Sequence, residues 1–260
     1  MNQTKIKARL YVSEDLKPGS EISPNSDQAH YLMKVMRASN GEGVVLFNGR
    51  DGEWLSIIEQ ATKKKCLLRV AEQRRPQALE PDVWLAFAPL KKTNTDFVVE
   101  KATELGVSRL IPVFTERTNT TRVNSDRLNL IAMEAAEQCD RLTVPEVSDP
   151  ISFLELIQDW PQERSLLVPD ETGGGQALKS VLDKTTSGSH GFLIGPEGGV
   201  APSELDALCN LPFVTRVGLG PRILRAETAA LAALACYQSM TGDWNSKPRF
   251  NDGYTFNARR

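Results

Sequence analysis

The sequence predicts an α/β protein with a mostly parallel sheet, preceded by a small domain of short strands. From residue 83 onward, short apolar runs alternate with amphipathic segments, which is the pattern of parallel strands joined by helices. Before residue 76, closely spaced apolar runs with turn residues between them favour a small β-barrel. Near the C-terminus, two glycine- and proline-rich segments each follow an apolar run and precede a helix-like run. That arrangement places a ligand pocket at the carboxyl ends of parallel strands.

The first domain is predicted to contain one helix among its strands. The elements are strands over 7–12, 44–47, 54–58 and 66–70 and a helix over 26–37. Asn48-Gly49 is typical of a hairpin turn, and a lysine run, 63–65, lies between the last two strands. The polar stretch 74–81 contains two prolines and is predicted to be a linker, with the boundary near residue 76. The predicted domains are 1–75, 76–243 and a tail, 244–260, without a clear element.

The second domain is predicted to alternate strands with helices throughout. The strands are predicted over 83–88, 110–114, 165–168, 192–194 and 213–218, and the helices over 96–105, 127–138, 178–182, 202–209 and 226–240. Gly106 is a suitable residue to end the first of these helices, and Pro202 suits the first turn of another.

Composition narrows the class of protein. Apolar residues make up 40% of the 260 residues, which is enough for hydrophobic cores. The N-terminus lacks the apolar segment of a signal peptide, and the longest apolar run, 229–236, is too short to span a membrane. We therefore expect a cytoplasmic protein with no membrane partner. The four cysteines form no Cys-x-x-Cys pair and are predicted to be reduced and buried; they are Cys66, Cys139, Cys209 and Cys236.

Histidine is scarce, which disfavours metal and hydrolytic chemistry. The chain has only His30 and His190, and no Cys/His cluster has the spacing of a zinc site. His30 lies in an amphipathic run and is predicted to be packed or at the solvent edge. His190 follows Gly188-Ser189 and is predicted to lie in a loop. We expect no metal site.

Charge differs between the two predicted domains. Residues 1–75 contain thirteen Lys and Arg against nine Asp and Glu, a net charge of +4, whereas residues 76–260 carry −6. A basic barrel beside an acidic domain suggests that the barrel contacts a phosphate backbone. The alternative is that the lysine run 63–65 is only a solvated hairpin tip.

The two glycine-rich segments do not have the residues of a phosphate cradle. They are Gly195-Pro196-Glu197-Gly198-Gly199 and a second segment over 219–228. Neither supplies the lysine and hydroxyl of a P-loop, and Ile223 occupies the third glycine position of a dinucleotide fingerprint. Glycine lets the backbone approach a ligand closely because it lacks a Cβ. The segments therefore favour a flat or neutral ligand, although ordinary tight turns remain the alternative.

These motifs resemble the signature segments of the RsmE family, which belongs to the SPOUT superfamily. Further matches are found along the whole chain: Arg9-Leu10-Tyr11, the run 30–37, Lys101-Ala102-Thr103-Glu104-Leu105-Gly106-Val107, Glu116-Arg117, Glu137-Gln138-Cys139, Arg141 and Val144-Pro145. Two positions depart from the family pattern. Ala226 stands where the family often has Thr, which removes a hydroxyl, and Met36 stands where Leu is usual.

The resemblance implies an enzyme that uses S-adenosylmethionine to methylate N3 of a specific uridine in 16S ribosomal RNA. It also implies a deep trefoil knot around the cofactor, an N-terminal PUA-like barrel that binds RNA, and a homodimer. The substrate is expected to be 16S rRNA within the small ribosomal subunit. The Ala-rich segment 226–240 would suit close packing in a dimer, and equally an ordinary buried helix.

Site residues follow from the same resemblance. Arg225 is expected to hold the uracil oxygens or a neighbouring phosphate. Glu227 is expected to accept the N3 proton, to anchor Arg225 or to stabilise the helix N-terminus. The cofactor residues are expected to be Gly195, Glu197, Gly198, Gly199, Leu219, Gly220, Ile223, Leu224 and Thr228. The RNA-binding residues are expected to be Arg9, Lys34, Arg37, Arg117 and Arg141.

Two other functions are compatible with parts of the sequence. The glycine-rich loops alone would permit a SPOUT enzyme that methylates the ribose 2′-hydroxyl, although the N-terminal barrel and the Arg225-x-Glu227-Thr228 segment favour the base methylase. A non-catalytic RNA-binding assembly factor would need no cofactor site. The target nucleotide and the proton acceptor are not determined by the sequence.

Overall fold

A computed structural model describes residues 4–62, 66–184 and 189–246. The chain divides into two compact units. The first contains the described residues up to 79 together with 140–143, and the second contains 80–139 and 144–246. The sequence did not predict that 140–143 belongs with the N-terminal residues. The predicted domain limits of 1–75, 76–243 and 244–260 stay a prediction, and most of the predicted tail lies outside the described residues.

The first unit is built on one five-stranded sheet. Its elements are β1 (Ile6–Tyr11), β2 (Glu21–Ile22), α1 (Ser26–His30), a π-helical turn (Tyr31–Val35), β3 (Gly43–Phe47), β4 (Glu53–Ala61) and β5 (Cys66–Arg75). The strand order is β1-β3-β4-β5-β2. β1 and β3 pair in parallel and the other described pairs are antiparallel. Leu32, Leu46, Ile58 and Leu68 are buried in its core.

The predicted helix over 26–37 is interrupted after one turn and a half. Asn25 caps α1, because its side chain accepts hydrogen bonds from Asp27 N and Gln28 N. The Met36 N–H then bonds Tyr31 O at 3.0 Å, five residues back, which widens the helix into the π turn. Arg37 follows with φ of +50°. His30 is exposed at the end of α1, as a solvent-edge residue.

β5 extends through the start of the predicted linker. Arg74 and Arg75 were expected to be linker residues, but both belong to β5, and Arg75 is buried. The physical reason is that the Arg75 guanidinium forms an ion pair with the buried carboxylate of Glu53, at the start of the neighbouring strand β4. The lysine run 63–65 lies outside the described residues.

The second unit contains a parallel sheet, as predicted. Its elements are β6 (Val83–Phe87), α2 (Lys92–Glu104), β7 (Arg109–Phe114), α3 (Ser125–Gln138), β8 (Glu146–Val147), β9 (Ile151–Ser152), α4 (Phe153–Asp159), β10 (Ser165–Pro169), β11 (Gln176–Ala177), α5 (Leu178–Leu182), β12 (His190–Ile194), α6 (Pro202–Cys209), β13 (Val214–Gly218) and α7 (Ala226–Met240). The strand order is β11-β13-β10-β12-β6-β7-β8, with β9 paired to β7. Every pairing among the described strands of this sheet is parallel.

Helices cover both faces of this sheet. Side chains from α2, α3, α5 and α7 form one core cluster with alternate residues of β6, including Leu85 and Phe87. Side chains from α4 and α6 form a second cluster with Ala86, which points to the opposite face of the same strand. The fold is therefore the two-faced α/β arrangement that alternating strands and helices predict.

Two predictions about single residues were wrong, and several short elements were not predicted. His190 begins strand β12 and is buried, with its ring 5.5 Å from the ring of Tyr237, rather than lying in a loop. All four cysteines are free, but only Cys66 is buried. Cys139 is half-buried, and Cys209 and Cys236 are exposed. The sequence also missed α4 and the two-residue strands β2, β8, β9 and β11.

The described residues contain neither a membrane-spanning helix nor a metal-binding cluster. Among them, no helix is both long enough and apolar enough to cross a membrane. In the same ranges, no group of three or more His, Cys, Asp and Glu side chains is placed to bind a metal ion.

Candidate functional site at the carboxyl ends of the strands

The carboxyl ends of four neighbouring strands, β13, β10, β12 and β6, meet at one edge of the sheet. The Ala88 N–H donates to Ile194 O at 2.8 Å, and the Asp170 N–H donates to Val217 O at 2.9 Å. The loops that leave these strands are therefore neighbours. Together they surround a cavity of about 810 Å³, a volume typical of small-molecule sites.

Most of the residues predicted from the glycine-rich segments line this cavity. Seven of the nine predicted cofactor residues do so: Gly195, Glu197, Gly199, Leu219, Gly220, Ile223 and Leu224. Gly198 and Thr228 are not among its lining residues. Arg225 and Glu227, the predicted catalytic pair, both line the cavity. The structure thus brings together residues more than thirty positions apart, while their roles stay predictions.

The first glycine-rich loop is a tight turn that only glycine fits. The Gly199 N–H donates to Pro196 O at 2.9 Å, and Gly199 has φ of +72°. A Cβ at Gly199 would lie 2.0 Å from Glu171 Oε1, and one at Gly195 would lie 2.9 Å from Val200 Cγ2. Bare backbone is therefore required at both ends of the turn.

The second glycine-rich loop leads into helix α7. Gly220 has φ of +101°, a conformation that disfavours other residues. Arg225 is the N-cap of α7 with an extended backbone, and its side chain is exposed. Glu227 lies in the first turn of α7, and its Oε2 is buried without a hydrogen-bond partner among the described residues. A buried carboxylate oxygen without a partner is costly, so its place in the cavity wall points to a ligand group that binds it.

The loop after β10 also lines the cavity, although the sequence analysis did not assign it. The Asp170 carboxylate accepts hydrogen bonds from Arg216 Nε and Thr172 N, both at 2.9 Å, and its side chain is 1% exposed. Burial disfavours its charge, but the bonds from Thr172 and Arg216 outweigh burial and hold the pKa of Asp170 below its ordinary value. The sequence signal was the triple glycine 173–175, which follows an apolar strand just as the other two glycine-rich loops do.

The loop after β6 contributes Lys91 to the cavity, and the first turn of α2 contributes Asn94. The backbone of the loop is fixed at Leu90, whose N–H donates to Thr95 Oγ1 at 2.9 Å. The Leu90 carbonyl accepts from Thr95 Oγ1 at 3.1 Å and from Thr120 Oγ1 at 2.8 Å. No sequence motif marks this loop. Only its position after a parallel strand, at the edge where ligands bind, indicates a functional role.

The five predicted RNA-binding residues lie in different environments. In the first unit, Lys34 and Arg37 are exposed around the π turn. Arg9 and Arg141 are buried in that unit, at 9% and 8% exposure. In the second unit, Arg117 is exposed but donates from Nη1 to Gly198 O at 2.9 Å. Exposure therefore favours direct contact with phosphates at Lys34 and Arg37, and burial disfavours it at Arg9 and Arg141.

Arg9 belongs to a buried charge cluster in the first unit. Arg9 Nε lies 2.9 Å from Glu53 Oε2 and 3.6 Å from Asp140 Oδ1, and its guanidinium lies 3.8 Å from the centre of the Phe47 ring. Arg75 donates to Glu53 and, at 3.0 Å, to the carbonyl of Asp140. Burial opposes the charge of Glu53, yet hydrogen bonds from Arg75 and Arg9 outweigh it and lower the pKa of Glu53. The cluster binds the segment 140–143 to the strands.

Comparison with known families gives two matches. The family described as RNA methyltransferase domain matches residues 77–238. The family described as RNA methyltransferase PUA domain matches residues 24–71.

The curated relatives are similar over nearly their whole length. Ribosomal RNA small subunit methyltransferase E of Rickettsia conorii is 33% identical over 231 residues, which cover 87% of this chain and 93% of the relative. The protein of that name from Bacillus subtilis is 29% identical, with 88% and 93% covered.

Solved structures show the same similarity. Ribosomal RNA small subunit methyltransferase E of Neisseria gonorrhoeae, bound to S-adenosylmethionine, superposes with a TM-score of 0.82 at 27% identity, over 91% of this chain and 99% of the other. A methyltransferase of Legionella pneumophila with bound S-adenosylmethionine gives a TM-score of 0.80 at 27% identity, over 90% and 97%.

Proposed function

Because the chain belongs to the RNA methyltransferase family whose curated members are named ribosomal RNA small subunit methyltransferase E, we propose that it methylates N3 of one uridine in 16S rRNA, using S-adenosylmethionine. The observation that carries the proposal is the cavity where the two predicted glycine-rich loops meet, with the unpartnered oxygen of Glu227 in its wall.

The cavity fits S-adenosylmethionine chemically. Gly195, Gly199 and Gly220 bring backbone to its surface, and neither glycine-rich segment has the adjacent lysine and hydroxyl of a P-loop. When bound, the cofactor supplies a methyl group on a sulfonium cation. Apolar side chains suit its flat adenine, and carboxylates suit its positive charge. The apolar ones are Leu219, Ile223 and Leu224, and the acidic ones are Asp170, Glu171 and Glu197.

Glu227 and Arg225 are assigned to the nucleotide. Uracil N3 carries a proton, and N3 becomes a nucleophile only when that proton leaves. Glu227 is assigned to accept it, because its Oε2 has no competing partner in the described structure. Arg225, exposed at the cavity, is assigned to stabilise the negative charge that spreads onto the carbonyl oxygens. With the cofactor bound, the electron pair of the deprotonated N3 would form the bond to its methyl group, and the electrons of the broken bond would stay on the sulfur.

The proposal includes the finer features that the resemblance implies. These are a trefoil knot, a homodimer, a cytoplasmic location, RNA binding by the first domain, and 16S rRNA in the small ribosomal subunit as substrate. For the knot, the supporting observation is strand order. β12 and β13 are consecutive in sequence but lie on opposite sides of β10, so the chain between them must cross β10. Light scattering of the purified protein tests the dimer.

Nucleoside mass spectrometry tests the reaction. Small ribosomal subunits and naked 16S rRNA from cells lacking the protein are incubated with the purified protein and S-adenosylmethionine, and are then digested to nucleosides. We expect 3-methyluridine. A 2′-O-methylated nucleoside would identify the ribose methylase instead. If calorimetry detects no binding of S-adenosylmethionine, the assembly-factor alternative replaces the enzyme.

The Arg225→Ala variant tests the assignment within the cavity. We expect methylation to be abolished while the dissociation constant for S-adenosylmethionine stays within about twofold, because Arg225 is assigned to the nucleotide alone. Unchanged turnover would remove Arg225 from the mechanism.

A further inference from the structure

We propose that Lys91 contacts the target nucleotide, and that its ammonium group stabilises the negative oxygen of the deprotonated base. The inference rests on the function proposed above and adds a residue that neither sequence motif contains. It assigns the loop after β6 to the nucleotide, together with Arg225 and Glu227, whereas Gly195, Gly199 and Gly220 of the glycine-rich loops are assigned to the cofactor.

The position of Lys91 follows from strand order. β6 pairs with β12, and the backbone bond from Ala88 N to Ile194 O continues that pairing beyond the strand ends. The loop that carries Lys91 therefore lies beside the loop that begins at Gly195. Lys91 lines the same cavity as Arg225 and Glu227. It enters the cavity from the side of β6. In the sheet, β6 lies three strand spacings from β13, which is about 14 Å at the usual spacing between strands.

The backbone around Lys91 is fixed. Hydroxyl bonds from Thr95 and Thr120 hold the preceding residue, Leu90. The Lys91 carbonyl itself accepts from Asn94 N at 2.8 Å and from Thr95 N at 3.1 Å. Lys91 is the N-cap of α2 with φ of −56° and ψ of 144°. The point from which the Lys91 side chain extends is therefore fixed, which limits the region that its ammonium group can reach.

The Lys91 ammonium is available to a ligand. Among the described residues it has no hydrogen bond or ion pair. Lys101, further along helix α2, is by contrast paired: its Nζ lies 2.7 Å from Glu100 Oε1 and 2.8 Å from Glu104 Oε1. Lys91 thus places at the cavity a positive charge that has no ion-pair partner among the described residues, and the acidic residues of the cavity are assigned to the cationic cofactor. An anionic oxygen is the group that such a charge attracts.

The base supplies that oxygen during the reaction. Loss of the N3 proton places negative charge on the two carbonyl oxygens of uracil, and Arg222 and Arg225 line the cavity on the α7 side. A lysine from the opposite side provides a further cation for the same anion. Its charge lowers the pKa of N3 in the complex, because an adjacent positive charge favours the deprotonated form.

Three variants test the proposal against a matched control. Lys91→Ala and Lys91→Gln remove the charge in the cavity, and Lys92→Ala removes the same charge one residue away, outside the cavity lining. We expect both Lys91 variants to lower kcat for 3-methyluridine formation by about 100-fold, the usual loss when one donor to a developing anion is removed. The pH at which kcat reaches its half-maximum should rise by about one unit, and Lys92→Ala should match the wild type.

Two further measurements distinguish the base from two other groups that could supply an anionic oxygen, the carboxylate of the cofactor and a phosphate of the RNA. If the carboxylate of the cofactor were the partner, calorimetry would show a Kd for S-adenosylmethionine raised more than about fivefold in Lys91→Ala. If a phosphate were the partner, the salt dependence of RNA binding would fall by about one unit with an unchanged pH profile. Either result would overturn the proposal, as would equal effects of Lys91→Ala and Lys92→Ala.

Failure of this inference is distinguishable from failure of the proposed function. If the wild-type protein forms no 3-methyluridine, the proposed function itself is wrong. If the wild type forms it and the Lys91 variants do so at the same rate and with the same pH profile, only the assignment of Lys91 is wrong. Thermal unfolding of each variant identifies a folding defect. If Lys91→Ala unfolds, the Lys91→Gln variant, which keeps a long polar side chain, decides the test.

Discussion

The guanidinium of Arg117 donates a hydrogen bond to the carbonyl oxygen of Gly198 at 2.9 Å, joining the loop after β7 to the first glycine-rich loop. A second contact reinforces this connection. The buried carboxylate of Glu204 accepts hydrogen bonds from Glu116 N at 2.8 Å and from Ala201 N at 3.1 Å. The glycine-rich loop is therefore attached to its neighbour at two points, and its shape depends on residues that do not line the cavity.

Replacing Arg117 should weaken cofactor binding. Arg117→Ala removes the hydrogen bond to Gly198 O, and a bond of this kind contributes about 1 kcal/mol. We expect the Kd for S-adenosylmethionine to rise by about fivefold in calorimetry. Arg122→Ala, the loss of a nearby exposed arginine with no partner among the described residues, is the control and should leave the Kd unchanged. If instead Arg117→Ala alters only the salt dependence of RNA binding, its predicted contact with phosphate is its main role.

The two adjacent glycines of the first loop should tolerate alanine very differently. Gly199 has φ of +72°, which strains any residue with a side chain, and its Cβ would lie 2.0 Å from Glu171 Oε1, so Gly199→Ala must strain the turn and displace the Glu171 side chain. A Cβ at Gly198 meets nothing nearer than 3.6 Å, which is an ordinary contact. We expect Gly199→Ala to raise the Kd for S-adenosylmethionine by more than about tenfold, and Gly198→Ala by less than about threefold. Equal affinities would show that this turn does not form the cofactor site.

Glu53 should make the stability of the first unit depend on pH. Its folded pKa lies below the ordinary value of 4.5, so the stabilisation it provides is complete above that value and is lost as the pH falls through the folded pKa. Glu53→Gln leaves Arg9 and Arg75 without their buried carboxylate and should cost about 3–5 kcal/mol near neutral pH.

Chemical unfolding of Glu53→Gln at pH 7 and at pH 3 measures this effect, and the difference from wild type should shrink at the lower pH. The exposed carboxylate of Glu59, paired with Arg69, provides the control, because Glu59→Gln should change stability little. A Glu53→Gln variant as stable as wild type at pH 7 would contradict the prediction.

Lys34 and Arg37 should determine the salt dependence of RNA binding. Both are exposed, and neutralising a cation that contacts a phosphate lowers the slope of log K against log salt by about one unit. Filter binding of 16S rRNA to Lys34→Ala and Arg37→Ala at several salt concentrations measures the slope. Arg9→Ala should instead lower the unfolding temperature, because Arg9 is buried against Glu53. An unchanged slope in both surface variants would place the RNA contact elsewhere.

The sequence predicted long, strongly patterned elements best. The bounds of α6 and α7 were predicted to the residue, because Pro202 marks the start of the first and an uninterrupted alanine-rich run marks the second. The short strands β2, β8, β9 and β11 were missed, because two residues show no periodicity. The π turn was also missed, since one extra residue per turn is not visible in a hydrophobic pattern.

The site was predicted where glycine and proline mark it and missed where they do not. Leu219 and Gly220 belong to such a segment, whereas Lys91 is brought to the cavity only by the pairing of β6 with β12, about a hundred residues apart in sequence. Arg9 was predicted to be an RNA contact from the resemblance of the segment Arg9-Leu10-Tyr11 to the family. Its burial depends on Glu53, a partner 44 residues away that no local pattern reveals.

The central place of β12 has a consequence for synthesis of the protein. β12 separates β10 from β6, yet it is translated after both of them, and β13 and α7 follow later still. A nascent chain that ends before residue 190 has β6 and β10 but lacks the strand that lies between them, so its central apolar surfaces stay open to water. The second unit can therefore complete its sheet only after β13 has been translated, and truncations that remove β12 and β13 should be degraded rather than accumulate as folded fragments.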